Sequence, residues 1–141
     1  MALKIFVDTD VVISSLISPS GAAFLLLNQT DGLELFISNI SAREIKDVAK
    51  RLRLDTEKAK QLIEKRCSVV QLPEAIGKIK TSFEDYVLDR NDAHIVAGAE
   101  RARAQFLISY NTRHFKADTL KGDLHIILTT PANFLQYLRS R

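Results

Sequence analysis

Leu3-Lys4-Ile5-Phe6-Val7-Asp8-Thr9-Asp10-Val11-Val12-Ile13-Ser14-Ser15-Leu16 decides the reading of the chain. Leu3 to Val7 is a short apolar run, Val11 to Leu16 reads as helical, and two aspartates stand at the junction. The pattern continues outward. Ser18-Pro19-Ser20-Gly21 breaks the helix before Ala22 to Leu27, and Leu33 to Ile37 is a second β-rich run. Ser38 to Ser41 supplies cap formers for a helix carrying Ile45, Val48, Ala49 and Leu52 at helical spacing. Asp55-Thr56-Glu57 opens another helix through about Lys65, followed by a strand over Val69 to Leu72. Ile76 and Ile79 suggest a short helix, Asn91 to Arg103 a longer one, and Phe106 to Ser109 a strand. A short turn at Thr112 to Phe115, a strand over Leu124 to Leu128 and a helix started by Pro131 close the chain. Strands alternate with helices and lack strict polar alternation, so both faces of the sheet are covered. The expected fold class is a three-layer α/β/α sandwich with a central, mostly parallel sheet of four to five strands.

The 141 residues fit one domain spanning 1–141, with no repeat, linker or low-complexity stretch. Hydrophobic residues at 46% and charged residues at 26% are the balance of a globular core, which excludes a disordered or fibrous chain. Cys67 is the single cysteine, and no Cys/His spacing resembles a zinc site, which fits a reducing compartment; a cytoplasmic location is expected. The longest apolar runs, such as Phe24 to Leu27, fall far short of a membrane span, and Met1-Ala2-Leu3-Lys4 lacks the pattern of a secretory signal. A net charge of +3 permits a polyanionic partner. Lys46 to Arg66 holds eight basic and four acidic residues, a run most simply read as a solvated helical face.

In open parallel sheets, ligands gather beyond the carboxyl ends of the strands. Asp8 follows the first strand, Glu44 is expected in the first turn after the second, and Asp92 opens the helix before Phe106. Asp92 shares helical spacing with Ile95, Val96 and Ala99, and a carboxylate on a packed face needs a reason. Capping is the simplest one. Asp8 can cap the first helix, Ser41-Ala42-Arg43-Glu44 fits a capping box, and Asp89-Arg90-Asn91-Asp92 looks like its acidic relative. Taken together, however, three acids on one rim repel one another unless a cation sits between them. Oxygen donors favour Mg²⁺ or Mn²⁺ over zinc.

The order of these motifs resembles the PIN-domain family, metal-dependent ribonucleases that include the VapC-like toxins of toxin–antitoxin pairs. The resemblance rests on Ile5 to Leu16, Ser41-Ala42-Arg43-Glu44-Ile45, Asp89 to Ala97, and Phe106 to Phe115, and it covers nearly the whole chain. The Ser18 to Gly21 break is similar to a toxin branch of the family. It implies that Asp8, Glu44 and Asp92 are the catalytic and metal-binding acids, with Asp89, Ser109 and Asn111 auxiliary. Many members carry an acid after the fourth strand where this chain has Asn111, which supplies no negative charge. That departure argues against a second metal site and for weakened activity. Asp118 is a distant candidate for the missing charge, Asp10 is expected to be peripheral, and His94 and His125 structural.

The function implied is Mg²⁺- or Mn²⁺-dependent hydrolysis of RNA phosphodiesters by the toxin of a type II toxin–antitoxin pair. Arg113, Lys116, Arg90 and His114 are the candidate RNA contacts, and the Lys46 to Arg66 stretch could extend the track. The partners implied are RNA, a small antitoxin encoded nearby and a second copy of the chain; no membrane is implied. The alternative is a weakly active or inactive PIN-like module that binds RNA or protein without cutting. Asp8-Thr9-Asp10-Val11-Val12 also satisfies the Asp-x-Asp opening of haloacid-dehalogenase-type phosphatases. That family needs a later acidic pair after a strand, whereas Asp89 and Asp92 precede Phe106 to Ser109.

Overall fold

The computed structural model describes residues 2–141, and Met1 lies outside them. The strands β1 (Leu3–Val7), β2 (Leu33–Ser38), β3 (Cys67–Val70), β4 (Phe106–Ile108) and β5 (Ile127–Thr129) form one sheet in the order β3-β2-β1-β4-β5. Every pairing is parallel, with Ile5 opposite Leu35 on one side and Phe106 on the other. The "mostly parallel" expectation thus sharpens to wholly parallel among the described residues.

The helices are α1 (Thr9–Ile17), α2 (Ala22–Gln29), α3 (Asn39–Arg51), α4 (Thr56–Arg66), α5 (Ile76–Phe83), α6 (Ala93–Arg101), the single turn α7 (Ala117–Thr119) and α8 (Pro131–Arg139). Successive strand residues enter opposite cores, as the pleat requires. Ile5, Val7, Leu35, Ile37, Phe106 and Ile108 join α1 to α4 and α8 on one face. Phe6 and Leu107 join Ile79 of α5 and Ile95, Val96 and Ala99 of α6 on the other. This double covering explains the apolar strands and makes the three layers. No single helix among the described residues is long and apolar enough to cross a membrane.

Gly98 sets how closely α6 approaches the sheet. A Cβ built there would meet Phe6 Cζ at 2.5 Å, and the Phe6 ring is fully buried. The absent side chain lets α6 lie directly on β1, which fixes the height of the residues at its start.

Three sequence boundaries move. Ser38, extended at φ −102° and ψ 168°, caps α3 by accepting from the Ser41 amide at 3.0 Å. Ser41 therefore lies inside the helix and makes no capping box with Glu44, which sits a turn deeper than expected. The β3 strand runs from Cys67 to Val70 rather than from Val69 to Leu72, and it stops short of Leu72 because Asn39 Oδ1 takes the Leu72 amide out of the ladder at 2.8 Å. The last strand starts at Ile127 rather than Leu124, since Leu120–Leu124 is wound into a wide helical turn ended by left-handed His125 at φ 57°.

Candidate functional site

Strand order reverses direction at β1: the chain moves from β1 through β2 to β3 on one side, then crosses back to β4 and β5 on the other. At such a switch point the loops leaving β1 and β4 part, opening a crevice beyond their carboxyl ends. Asp8 and Ser109 stand at its floor, where the Asp8 amide donates to the Ile108 carbonyl at 2.9 Å. Asp8 is the N-cap of α1, and its Oδ1 accepts from the Thr9 amide at 2.7 Å. Its Oδ2 accepts from Ser109 Oγ at 2.8 Å. Capping accounts for one oxygen of Asp8 and leaves the other turned to the crevice partner.

A cavity of about 490 Å³ at this point is lined by Asp8, Asp10, Glu44, Asp92, His94, Asn111 and His114, with Ile13, Ile17 and Val48 among its apolar lining residues. Helix α3 carries Glu44, and the turn Arg90–Asp92 ahead of α6 carries Asp92. Glu44 Oε1 lies 3.0 Å from His94 Nε2 and accepts from Thr9 Oγ1 at 3.4 Å. Asp92 caps no backbone amide, and its Oδ2 lies 3.7 Å from His114 Nδ1. Asp89 does the local work instead, accepting from the Asn91 amide at 2.9 Å.

The gathered charge alters the acids. Burial, reinforced by Asp10 and weakly by Asp92, pushes the Asp8 carboxyl up to about 7 despite its bonds to Ser109 and Thr9. Burial also raises Asp10 against the amides of Tyr110 and Val11. Asp92 is raised by burial, with Asp89 and Glu44 adding to the effect and the two histidines opposing it. Among the described residues, no three His, Cys, Asp or Glu side chains stand close enough together to grip one ion as they are. Glu44 and Asp92 instead face the neighbouring histidines.

Two residues matter more here than their sequence positions suggested. Asp10, expected at the periphery, lies in the cavity lining and binds the segment after β4: its Oδ2 accepts from the Tyr110 amide at 3.1 Å and Asn111 Nδ2 at 2.9 Å. The signal for it was present, since the first turn of a helix leaving a strand end faces the same crevice as the strand-end residue. His94 is nearly buried and holds Glu44. The candidate phosphate contacts divide. His114 lines the cavity, Arg113 and Lys116 are exposed but outside its lining, and Arg90 is paired with Glu84 at 2.8 Å. Asp118 is exposed on α7, outside the lining.

A family model described as a PIN domain matches residues 4–113. The chain belongs to the PIN-domain family. This membership removes the haloacid-dehalogenase-type alternative. No curated protein matches the sequence. Among solved structures, this PIN domain is similar in fold to a chain of VapBC2 from Rickettsia felis, a complex bound to a DNA fragment from its promoter. That match has 13% identity and a TM-score of 0.63, covering 91% of this chain and 98% of that one. It is also similar to a chain of a toxin–antitoxin complex from Klebsiella pneumoniae, with 22% identity and a TM-score of 0.63, covering 90% and 97% of the two chains.

Proposed function

We propose that this PIN domain is a divalent-metal-dependent endoribonuclease acting as the toxin of a toxin–antitoxin pair. The observation that carries the reading is the convergence of Asp8, Glu44 and Asp92, from three separate parts of the chain, on one cavity at the sheet's switch point. Family membership supports nuclease chemistry, and the two solved neighbours, both from toxin–antitoxin complexes, support an antitoxin partner.

The residues fit a hard cation. Their donors are carboxylate oxygens, and Asp10 Oδ1 is buried without a hydrogen-bond partner. Asp8 and Asp92 would hold Mg²⁺ or Mn²⁺, with Glu44 engaged directly or through water; Mg²⁺ commonly takes only one or two carboxylates. When bound, such an ion acidifies water and offsets the charge that builds on a phosphodiester under in-line attack. Ser109 orients Asp8 through the 2.8 Å bond and keeps its second oxygen in place. His94 does the same for Glu44. His114, in the cavity lining, would meet a substrate phosphate or base, and Arg113 and Lys116, exposed outside the lining, would hold further phosphates.

The test is cleavage of a mixed RNA pool by the purified protein with Mn²⁺ or Mg²⁺. Cleavage is expected to vanish with chelator and in Asp8→Asn and Asp92→Asn, both remaining folded. RNA binding without metal-dependent cleavage would favour the non-cutting module. Cleavage surviving both substitutions would refute the proposed roles.

A further inference from the structure

We propose that Asp10 is the fourth acid of this cavity, supplying the negative charge that Asn111 lacks, with Asn111 serving as its neutral partner. The inference rests on the metal-site reading above and adds a residue to it. Two donors converge on one Asp10 oxygen: Oδ2 accepts from Asn111 Nδ2 at 2.9 Å and from the Tyr110 amide at 3.1 Å, while Ser109 Oγ, 3.4 Å away, gives its one proton to Asp8. The other oxygen, Oδ1, is buried with no partner. Both residues line the cavity with Asp8, Glu44 and Asp92.

An asymmetric carboxylate of this kind asks for an explanation. If Asp10 served only to fasten the loop after β4, a neutral asparagine would do as well, because its single carbonyl oxygen can accept the same donors. The loop therefore needs an acceptor at position 10 and not a charge. What needs the charge is the second oxygen, since a buried carboxylate oxygen with no hydrogen bond of its own is costly. A cation held among neighbouring carboxylates removes that cost. Asn111 fits the complementary role: its amide N–H binds Oδ2, and its backbone N–H donates to Ser109 Oγ at 3.0 Å, which in turn donates to Asp8. Asp10 and Asp8 are thus tied to one short segment, Ser109 to Asn111, which holds both at the cavity floor.

Exchanging the pair separates charge from fastening. Mn²⁺ binding to the whole protein, read by electron paramagnetic resonance, and thermal melting are measured for the parent, Asp10→Asn, Asn111→Asp and the Asp10→Asn/Asn111→Asp exchange. Asp10→Asn is expected to stay folded and bind Mn²⁺ about tenfold or more weakly. The exchange is expected to recover most of the affinity, because the acid returns to the same hydrogen-bonded pair. Asn111→Asp alone places two carboxylates in contact, so its metal-free melting temperature should fall and Mn²⁺ should raise it by more than in the parent. Unchanged Mn²⁺ affinity in Asp10→Asn, or an exchange variant no better than Asp10→Asn, would overturn the role of Asp10. An Asp8→Asn control that binds Mn²⁺ as tightly as the parent would instead refute the metal site itself, and this inference with it.

Discussion

The hydroxyl of Ser109 donates to Asp8 Oδ2 at 2.8 Å across the gap between the ends of β1 and β4, joining residues 101 positions apart. This bond favours the charged form of a carboxyl that burial drives the other way, so Ser109 tunes the acid as well as aiming it.

Ser109→Ala should therefore leave Asp8 more readily protonated. Activity at pH 7 is expected to fall about tenfold, with the rising limb of the pH–rate profile displaced to higher pH, since one unit of displacement corresponds to about 1.4 kcal/mol. A profile that keeps its position while the plateau drops would show that Ser109 only shapes the cavity.

Asp8 also sets a pH dependence of stability. Its folded carboxyl titrates near 7 against an ordinary value of 3.8, so between those limits the folded protein retains a proton that the unfolded chain has released. The contribution of Asp8 to the stability of the metal-free protein then declines as pH rises from about 4 to about 7 and levels off beyond. Asp10 and Asp92, also raised, act in the same direction. Relative to Asp8→Asn, the parent should lose several degrees of melting temperature between pH 4.5 and pH 8 in chelator, at roughly 3 °C per kcal/mol for a chain of this size. Mn²⁺ should restore the parent increasingly towards pH 8. A parent that gains on Asp8→Asn over that range without metal would contradict the burial of this carboxyl.

His94 is the partner that orients Glu44, at 3.0 Å through Nε2. His94→Leu removes the donor and should cost about tenfold in metal affinity or activity, the usual range for groups that aim a ligand. His94→Gln retains an N–H donor and should recover a good part of it. Equal losses in the two variants would mean that shape, not donation, matters at this position.

The sheet was legible because its strands are mostly apolar without strict alternation and because several helices start on a cap former or proline. Asp8 and Asp55 cap α1 and α4 as their positions suggested, and Thr130, just ahead of Pro131, caps α8. The same logic misplaced the start of α3, since Ser38 and Ser41 are both competent caps and only the extended backbone of Ser38 decides between them. Asp8 and Asp92 were legible as acids at a strand end and a helix start, and Glu44 as an acid of the helix after β2, where it lies one turn deeper than its position suggested. His94 was not legible, because its partner Glu44 is remote in sequence, and Asp10 was legible by its place in the first turn of α1 but not by its partner Asn111. Arg90, near the rim along the chain, is paired with Glu84 at 2.8 Å, a partner that the sequence order alone did not single out.

Gly98→Ala tests the packing that sets the start of α6. The new methyl group would overlap the fully buried Phe6 ring at 2.5 Å, and overpacking of this kind costs about 1–3 kcal/mol. Chemical denaturation should show a lowered midpoint with an unchanged slope, and the Phe6→Leu/Gly98→Ala pair should lose less than the sum of the single changes. Strict additivity would show that the two residues do not compete for the same space.

The convergence of Asp8, Glu44 and Asp92 on one divalent ion is tested most directly by anomalous diffraction at the manganese edge from crystals grown with Mn²⁺. A peak is expected in the switch-point cavity, coordinated by Asp8 and Asp92 with Glu44 bound directly or through water, and absent in Asp8→Asn crystals. An empty cavity at saturating Mn²⁺, or a peak that persists unchanged in Asp8→Asn, would contradict it.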